Sequence, residues 1–358
     1  MAPIIFRPCY CTREQVRRAV EVTLAEYAYD RIDRAILTAS EAVEALTQRK
    51  FYPETATRKF DWPNYQYTYP WKLYLDENEL ADIPTAVVTG SLLPVPVTIP
   101  IPDVICQPVN TGPPYTRIEL RRDLSVAFGY NSTPQEDIAI TGTFGYWTKT
   151  ESAGVLAADV AIVDTAVTVS DGSVGVGDLL IAGSERMIVT DAAYADTGVA
   201  YSGLSSASAA DKIVAVPDGT AFSKGEILMV DAEWLLVEYI AGNNLVVKRA
   251  FEGSVLAAHA GGTLWASRTL TVIRGALGTI VATHKVGDAL TASVVPGLIR
   301  QLSIAEAIVW LAQEHGAYGG ASGPLASAGG PSAGPGLPDL RERVCNSRFS
   351  RAARTRVA

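Results

Sequence analysis

Gly177-Asp178-Leu179-Leu180-Ile181 returns forty-eight residues later as Gly225-Glu226-Ile227-Leu228-Met229. Glu185 and Val189 return at the same spacing as Glu233 and Val237. A second echo has a spacing of twenty-five. Leu245-Val246-Val247-Lys248-Arg249, Gly253, His259 and Gly262 match Leu270-Thr271-Val272-Ile273-Arg274, Gly278, His284 and Gly287. The apolar runs are short, rich in β-branched residues and separated by Asp-Gly, Gly-Asn and Gly-Gly turns. Self-similarity of this kind predicts an all-β stretch of duplicated hairpins over residues 150–293. It points to a scaffold more than to chemistry. His259 and His284 occupy equivalent positions, and a catalytic base needs no copy at the same point of each hairpin, so both read as structural hydrogen-bonding groups.

The flanks differ. Thr12 and Gln15 have the spacing of a capping box, which predicts a helix from about Arg13. Ile32, Ala35, Ile36, Ala39, Ala42, Val43 and Leu46 share one face of a second helix. Short runs at Lys72–Leu75, Ala86–Thr89, Arg117–Leu120 and Ile138–Phe144 predict strands of a small antiparallel sheet. Pro94, Pro96, Pro100 and Pro102 lack ladder donors, which confines their segment to an edge or an extended loop. Glu136 and Asp137 read as a solvated turn. After Pro296, residues Ile299, Leu302, Ile304, Ala305, Ile308, Val309, Leu311 and Ala312 predict another amphipathic helix that ends at Gly316.

Joining Gly142–Trp147 directly to Val295–Ile299 gives a continuous strand-then-helix pattern. The expected organisation is therefore an α+β fold, a small helical domain with an antiparallel β-sheet that carries an inserted all-β domain. The first domain covers 1–149 and resumes at 294–315, with the β domain at 150–293. Residues 316–338 contain eight Gly and four Pro and predict a flexible linker. A basic C-terminal arm follows at 339–358.

Charge is uneven along the chain. The formal net charge is −8, while residues 339–358 hold six arginines against Asp339 and Glu342. That segment carries +4 and the rest carries −12. An acidic body argues against nucleic-acid binding by the folded part. Arg341, Arg343, Arg348, Phe349, Arg351, Arg354 and Arg356 form a candidate surface for an acidic partner or phosphates. Aromatics are concentrated between Phe51 and Tyr74, and Trp62, Tyr65, Tyr67, Tyr69 and Trp71 are candidate subunit contacts, since Tyr and Trp are enriched at interfaces.

Signals for chemistry are sparse. The chain has no phosphate loop, HExxH helix or nucleophile elbow. Four Cys and three His are too few and too scattered for a zinc module or a disulfide framework. No apolar run reaches the length of a membrane span, and MAPIIFRPCYC lacks the apolar core of a secretory signal. The expectation is a non-enzyme without cofactor, made in a reducing cytosol.

Three fragments, in order, resemble the head-to-tail connector (adaptor) proteins of tailed bacteriophages. They are Ala39-Ser40-Glu41-Ala42-Val43-Glu44 leading into Arg49-Lys50-Phe51-Tyr52-Pro53, Ile140-Thr141-Gly142-Thr143-Phe144-Gly145-Tyr146-Trp147, and Val295-Pro296 before Ala305–Ala312. The likeness covers about 1–147 and 294–315 and omits the β insertion. It implies a structural virion protein at the capsid vertex, or neck, assembled in the host cytoplasm. Such proteins form a ring, typically of twelve copies, that joins the portal protein to the next connector, stopper or tail protein. The ring extends the channel through which genomic DNA passes without sequence-specific binding, and no membrane is involved. The resemblance places the C-terminal segment near the portal. The alternative is a surface- or carbohydrate-binding phage protein that works through the β domain.

Overall fold

The computed structural model describes residues 3–20, 28–63, 69–123, 127–315 and 336–351. Helices and antiparallel sheets make up the fold, so the α+β class holds at that level. The chain divides into two compact units. One contains residues 1–46, 150–276 and 280–347, and the other contains 47–149, 277–279 and 348–358.

The first unit holds α1 (Arg13–Val20), α2 (Tyr29–Thr47, of which the last residue falls in the other unit), α3 (Gly297–His315) and α4 (Leu337–Cys345). The capping box is present at α1: the Gln15 N–H donates to Thr12 Oγ1 and the Thr12 N–H donates to Gln15 Oε1. Helices α1 and α3 pack together, and Ser303 Oγ lies 3.3 Å from Cys11 Sγ. Arg13 clamps Asp33 of α2 with two bonds of 2.8 and 2.7 Å.

The same unit contains a ten-stranded sheet made of β8 (Thr150–Val155), β9 (Ala166–Thr168), β10 (Leu179–Ala182), β11 (Glu185–Tyr201), β12 (Ile213–Ala215), β13 (Ile227–Val230), β14 (Glu233–Ala241), β15 (Asn244–Lys248), β16 (Gly262–Ile273) and β17 (Ala289–Ser293). The two sequence echoes meet in this sheet. The Gly177 N–H donates to the Val189 carbonyl, and the Gly225 N–H donates to the Val237 carbonyl. β10 pairs with the start of β11 as β13 pairs with β14. The end of β16 pairs with β9 as β15 pairs with β12. One copy is thus nested in the other. The outer copy is split between residues 166–189 and 269–293, and the inner copy lies between its halves. Tyr201 and Gly262 face each other in the β11–β16 ladder where the inner copy enters and leaves.

The second unit has two sheets. In one the order is β1 (Glu54–Phe60), β7 (Ile138–Phe144), β3 (Ala86–Thr89) and β4 (Val97–Ile99). In the other it is β2 (Lys72–Tyr74), β6 (Arg117–Leu120) and β5 (Val104–Gln107). The sequence had indicated a single small sheet. Leu80 bridges to both Tyr115 and Phe144, and Leu73, Leu75, Leu80, Val87, Ile118, Ile138 and Phe144 share one core. The proline-rich segment forms the edge strand β4, where no ladder donor is missed.

Asp137 is not the solvated turn residue that its neighbours indicated. It is fully buried and accepts hydrogen bonds from Thr89 Oγ1 and from the N–H groups of Gly90, Gly129, Tyr130 and Asn131. A buried carboxylate needs this many donors to offset its lost hydration.

The division differs from the expected one. A boundary does fall between Lys149 and Thr150. However, the helices belong with the β-rich stretch and not with the sheets of 47–149. The cause is polar complementarity, which composition does not display. The Cys9 N–H donates to the Gly177 carbonyl (2.8 Å) and Arg18 Nη1 donates to the Gly225 carbonyl (2.5 Å). These are equivalent turns of the two copies, both left-handed, with φ of 103° and 85°. The left-handed backbone at both positions favours glycine, and at Gly225 a Cβ would also press on the Arg18 guanidinium, 2.3 Å away. Glu14 accepts from the Val176 N–H (2.9 Å), and Arg17 pairs with Glu252 through two bonds of 2.6 Å.

Candidate functional site

The sequence directs attention to the basic C-terminus. Leu337-Pro338 opens α4, with Pro in the first turn where no N–H is required. Helix α4 packs on α3, Val344 is fully buried, and Arg341 grips Glu306 with bonds of 2.5 and 2.8 Å. Among the described residues Arg343 pairs with Asp339, one turn earlier at the surface.

Residues 348–351 then dock in the second unit. The Arg348 carbonyl accepts from Arg49 Nη1 (2.7 Å) and from the Tyr146 hydroxyl (2.9 Å). Phe349 meets the rings of Phe51, Tyr146 and Trp147 edge-on at 6.1–6.2 Å. Ser350 is buried, and the Arg351 N–H donates to the Thr47 carbonyl (3.1 Å). The Arg351 guanidinium lies 3.4 Å from Glu79, which Arg49 already holds with bonds of 3.0 and 2.8 Å. A cleft of about 440 Å³ opens beside this pair, lined by Arg49, Tyr74, Asp76, Glu77, Glu79, Thr116 and Arg351.

These contacts correct the expectation of a free arm for part of the candidate set. Arg341, Phe349 and Arg351 are engaged inside their own chain, because Glu306, Glu79 and an aromatic pocket supply complementary partners. Arg343 and Arg348 present their side chains at the surface. Arg354 and Arg356 lie outside the described residues, as does most of the linker.

The aromatic candidates separate as well. Trp62 is 2 % exposed and packs against Phe128 in the core, so it is not a surface contact. Tyr65 and Tyr67 lie outside the described residues. Tyr69 is exposed and stands edge-on to the half-buried Trp71 at 5.5 Å. Lys72 lies over the first ring and Arg122 over the second.

The titratable residues of the repeats are consumed internally. In the inner copy Glu233 accepts five bonds, from Arg249 Nε and Nη2, the Ala250 and Ala257 N–H groups, and His259 Nε2. In the outer copy Glu185 does the same with Arg274 Nε and Nη2, the Gly275 and Ala282 N–H groups, and His284 Nε2. Burial alone would raise both carboxyls. The bonds from the arginines, histidines and backbone overcome it and hold each at about 2. Sequence pairing had aligned Arg249 with Arg274 and Glu185 with Glu233. It did not show that the first Glu bonds to the later Arg.

One position breaks the symmetry. Glu226 of the inner copy is held by Arg268 with bonds of 2.8 and 3.1 Å. At the outer positions stand Asp178 and Ser293. Burial pushes the Asp178 carboxyl up to about 7. The Gly175 N–H and Arg300 oppose the rise, while Glu14 and Glu151 add to it. A raised folded-state carboxyl costs stability wherever the unfolded chain ionises first. Stability is therefore expected to fall as pH rises from about 4 to about 7 through this group, and Asp178→Asn is expected to flatten that slope in thermal melts.

Among the described residues no group of three or more His, Cys, Asp and Glu is placed to hold a metal, and no helix is long and apolar enough to cross a membrane. Comparison of the chain with protein-family models, curated proteins and solved structures gives no match.

Proposed function

We propose that this chain is a structural subunit of a phage neck, a connector that assembles as a ring between portal and tail and extends the DNA channel. The observation that carries the reading is the packing of α1 against α3. Residues 1–46 and 294–315, the parts of the resembling stretches that lie in the first unit, are separated in sequence by the whole β-rich region, yet α1 packs against α3. The buried ion pairs support the reading too. They fix the scaffold and present no nucleophile with a base and an orienting group. An acidic body favours passage of DNA without sticking. Exposed Tyr69, Arg343 and Arg348 are the described candidate residues left for contacts with the portal, a neighbouring copy or the next neck protein.

The test is assembly. The full chain is mixed with portal rings and imaged as single particles. The expected result is a ring stacked coaxially on the portal. A chain that stays monomeric beside the portal, and instead binds a glycan array through residues 150–293, would replace this reading with the surface-binding one.

A further inference from the structure

We infer that one buried water molecule completes the joint between α1 and the two β copies, in a small cavity of the first unit. This site does not depend on the connector reading. Four parts of the unit line the cavity. They are α1 with its cap, the outer-copy turn at 172–175, the inner-copy turn at 225–227, and the Tyr194–Ser267 pair of the β11–β16 ladder. The cavity offers about 20 Å³ to the centre of a water-sized sphere. One water needs roughly 10–15 Å³ by that measure. There is room for a water and not for an organic ligand.

An unmet donor points to the occupant. The Tyr194 hydroxyl is buried and makes no hydrogen bond of adequate geometry among the described residues. The Arg17 guanidinium beside it cannot meet the need, because arginine carries donors only. The phenol proton still lacks an acceptor. A buried donor without an acceptor is costly, and an internal water is the common remedy. The rest of the lining supplies what that water requires. Arg18 spends Nη1 on the Gly225 carbonyl and has further N–H groups to give. Glu14 takes the Val176 N–H on Oε2, and its Oε1 can accept. Glu226 takes bonds from Arg268 Nε and Nη2 and from the Ser223 N–H, and a carboxylate has about four acceptor sites. Two donors, Tyr194 and Arg18, thus meet two acceptors, which is the complement of a four-bonded water. Charge favours a neutral occupant. Glu14 faces Arg18, and Glu226 is paired with Arg268, so the wall holds no unbalanced charge for a bare ion.

Oxygen-17 relaxation dispersion, which counts long-lived internal waters in solution, tests the site. The full chain is expected to hold one more such water than its Tyr194→Phe variant. That variant keeps the ring against Trp234 and removes only the phenol donor. Equal counts overturn the inference.

A crystal structure of the unaltered full chain, grown in rubidium chloride, is the second measurement and needs no variant. The expected result is a water within hydrogen-bond distance of Tyr194 Oη and of the Glu14 or Glu226 carboxylate. An anomalous rubidium peak in the cavity overturns the inference, because the occupant is then an ion. A Tyr194 hydroxyl bonded directly to a protein oxygen overturns it as well.

Discussion

Glu233→Ala is expected to destabilise the first unit by about 3–5 kcal/mol, because it strands a buried cation. Arg249 and Glu233 both have 0 % side-chain exposure, and the arginine also donates to the carbonyls of Ser206, Asp211 and Ala257. It would therefore stay in place without its counter-charge. Glu185→Ala strands Arg274 in the same way, with comparable loss. Thermal melts of the full chain check both, and a drop of roughly 6–20 °C corresponds to that range. Acid supplies a second readout. Each carboxyl is held at about 2 against an ordinary 4.5. Its contribution is thus present above about pH 4.5 and fades as pH falls towards 2. The Gln variants should lose that part of the acid transition. Variants that melt within a degree of the parent would mean the clusters are ornamental.

The second large effect comes from outside the repeats. Arg17→Ala is expected to cost about 3–5 kcal/mol in the same unit by leaving Glu252 buried and alone. The two side chains are 4 % and 3 % exposed. Arg17 also lies over the rings of Tyr29 and Trp234. Replacing both partners by apolar residues of similar volume, Arg17→Met with Glu252→Leu, should recover most of the loss, since breaking an ion pair is costlier than removing it. Chemical denaturation followed by Trp fluorescence reads the difference. It also tests the domain boundary. If 150–293 were autonomous, Arg17→Ala would leave its unfolding midpoint unchanged.

What could be read in the sequence followed local physics. The Thr12–Gln15 box, the apolar face of α2 and the β-branched runs at Ala86–Thr89, Arg117–Leu120 and Ile138–Phe144 are short-range signals, and each became the element it specified. The paired spacings of forty-eight and twenty-five announced a duplication. Their nesting was legible only in hindsight, because one spacing counts from the first half of the outer copy and the other back from its second half. Long-range polar pairing left no local mark. Nothing around Arg17 indicates Glu252, and nothing around Phe349 indicates Phe51 and Tyr146. The separation of Trp62 from Tyr69 also depends on the core that surrounds the first ring. These contacts decide which segments share a unit, so the domain boundaries were the part that the sequence reading missed.

Nesting has a kinetic corollary. In the inner copy, Glu233 and Arg249 are 16 residues apart along the chain, whereas Glu185 and Arg274 are 89 apart. Closing the longer loop costs about 1.5 kcal/mol more in chain entropy. Once the inner copy has formed, Tyr201 and Gly262 lie side by side and most of that detour is removed. Refolding should therefore proceed from the inside outwards, the inner copy serving as the nucleus on which the outer one closes.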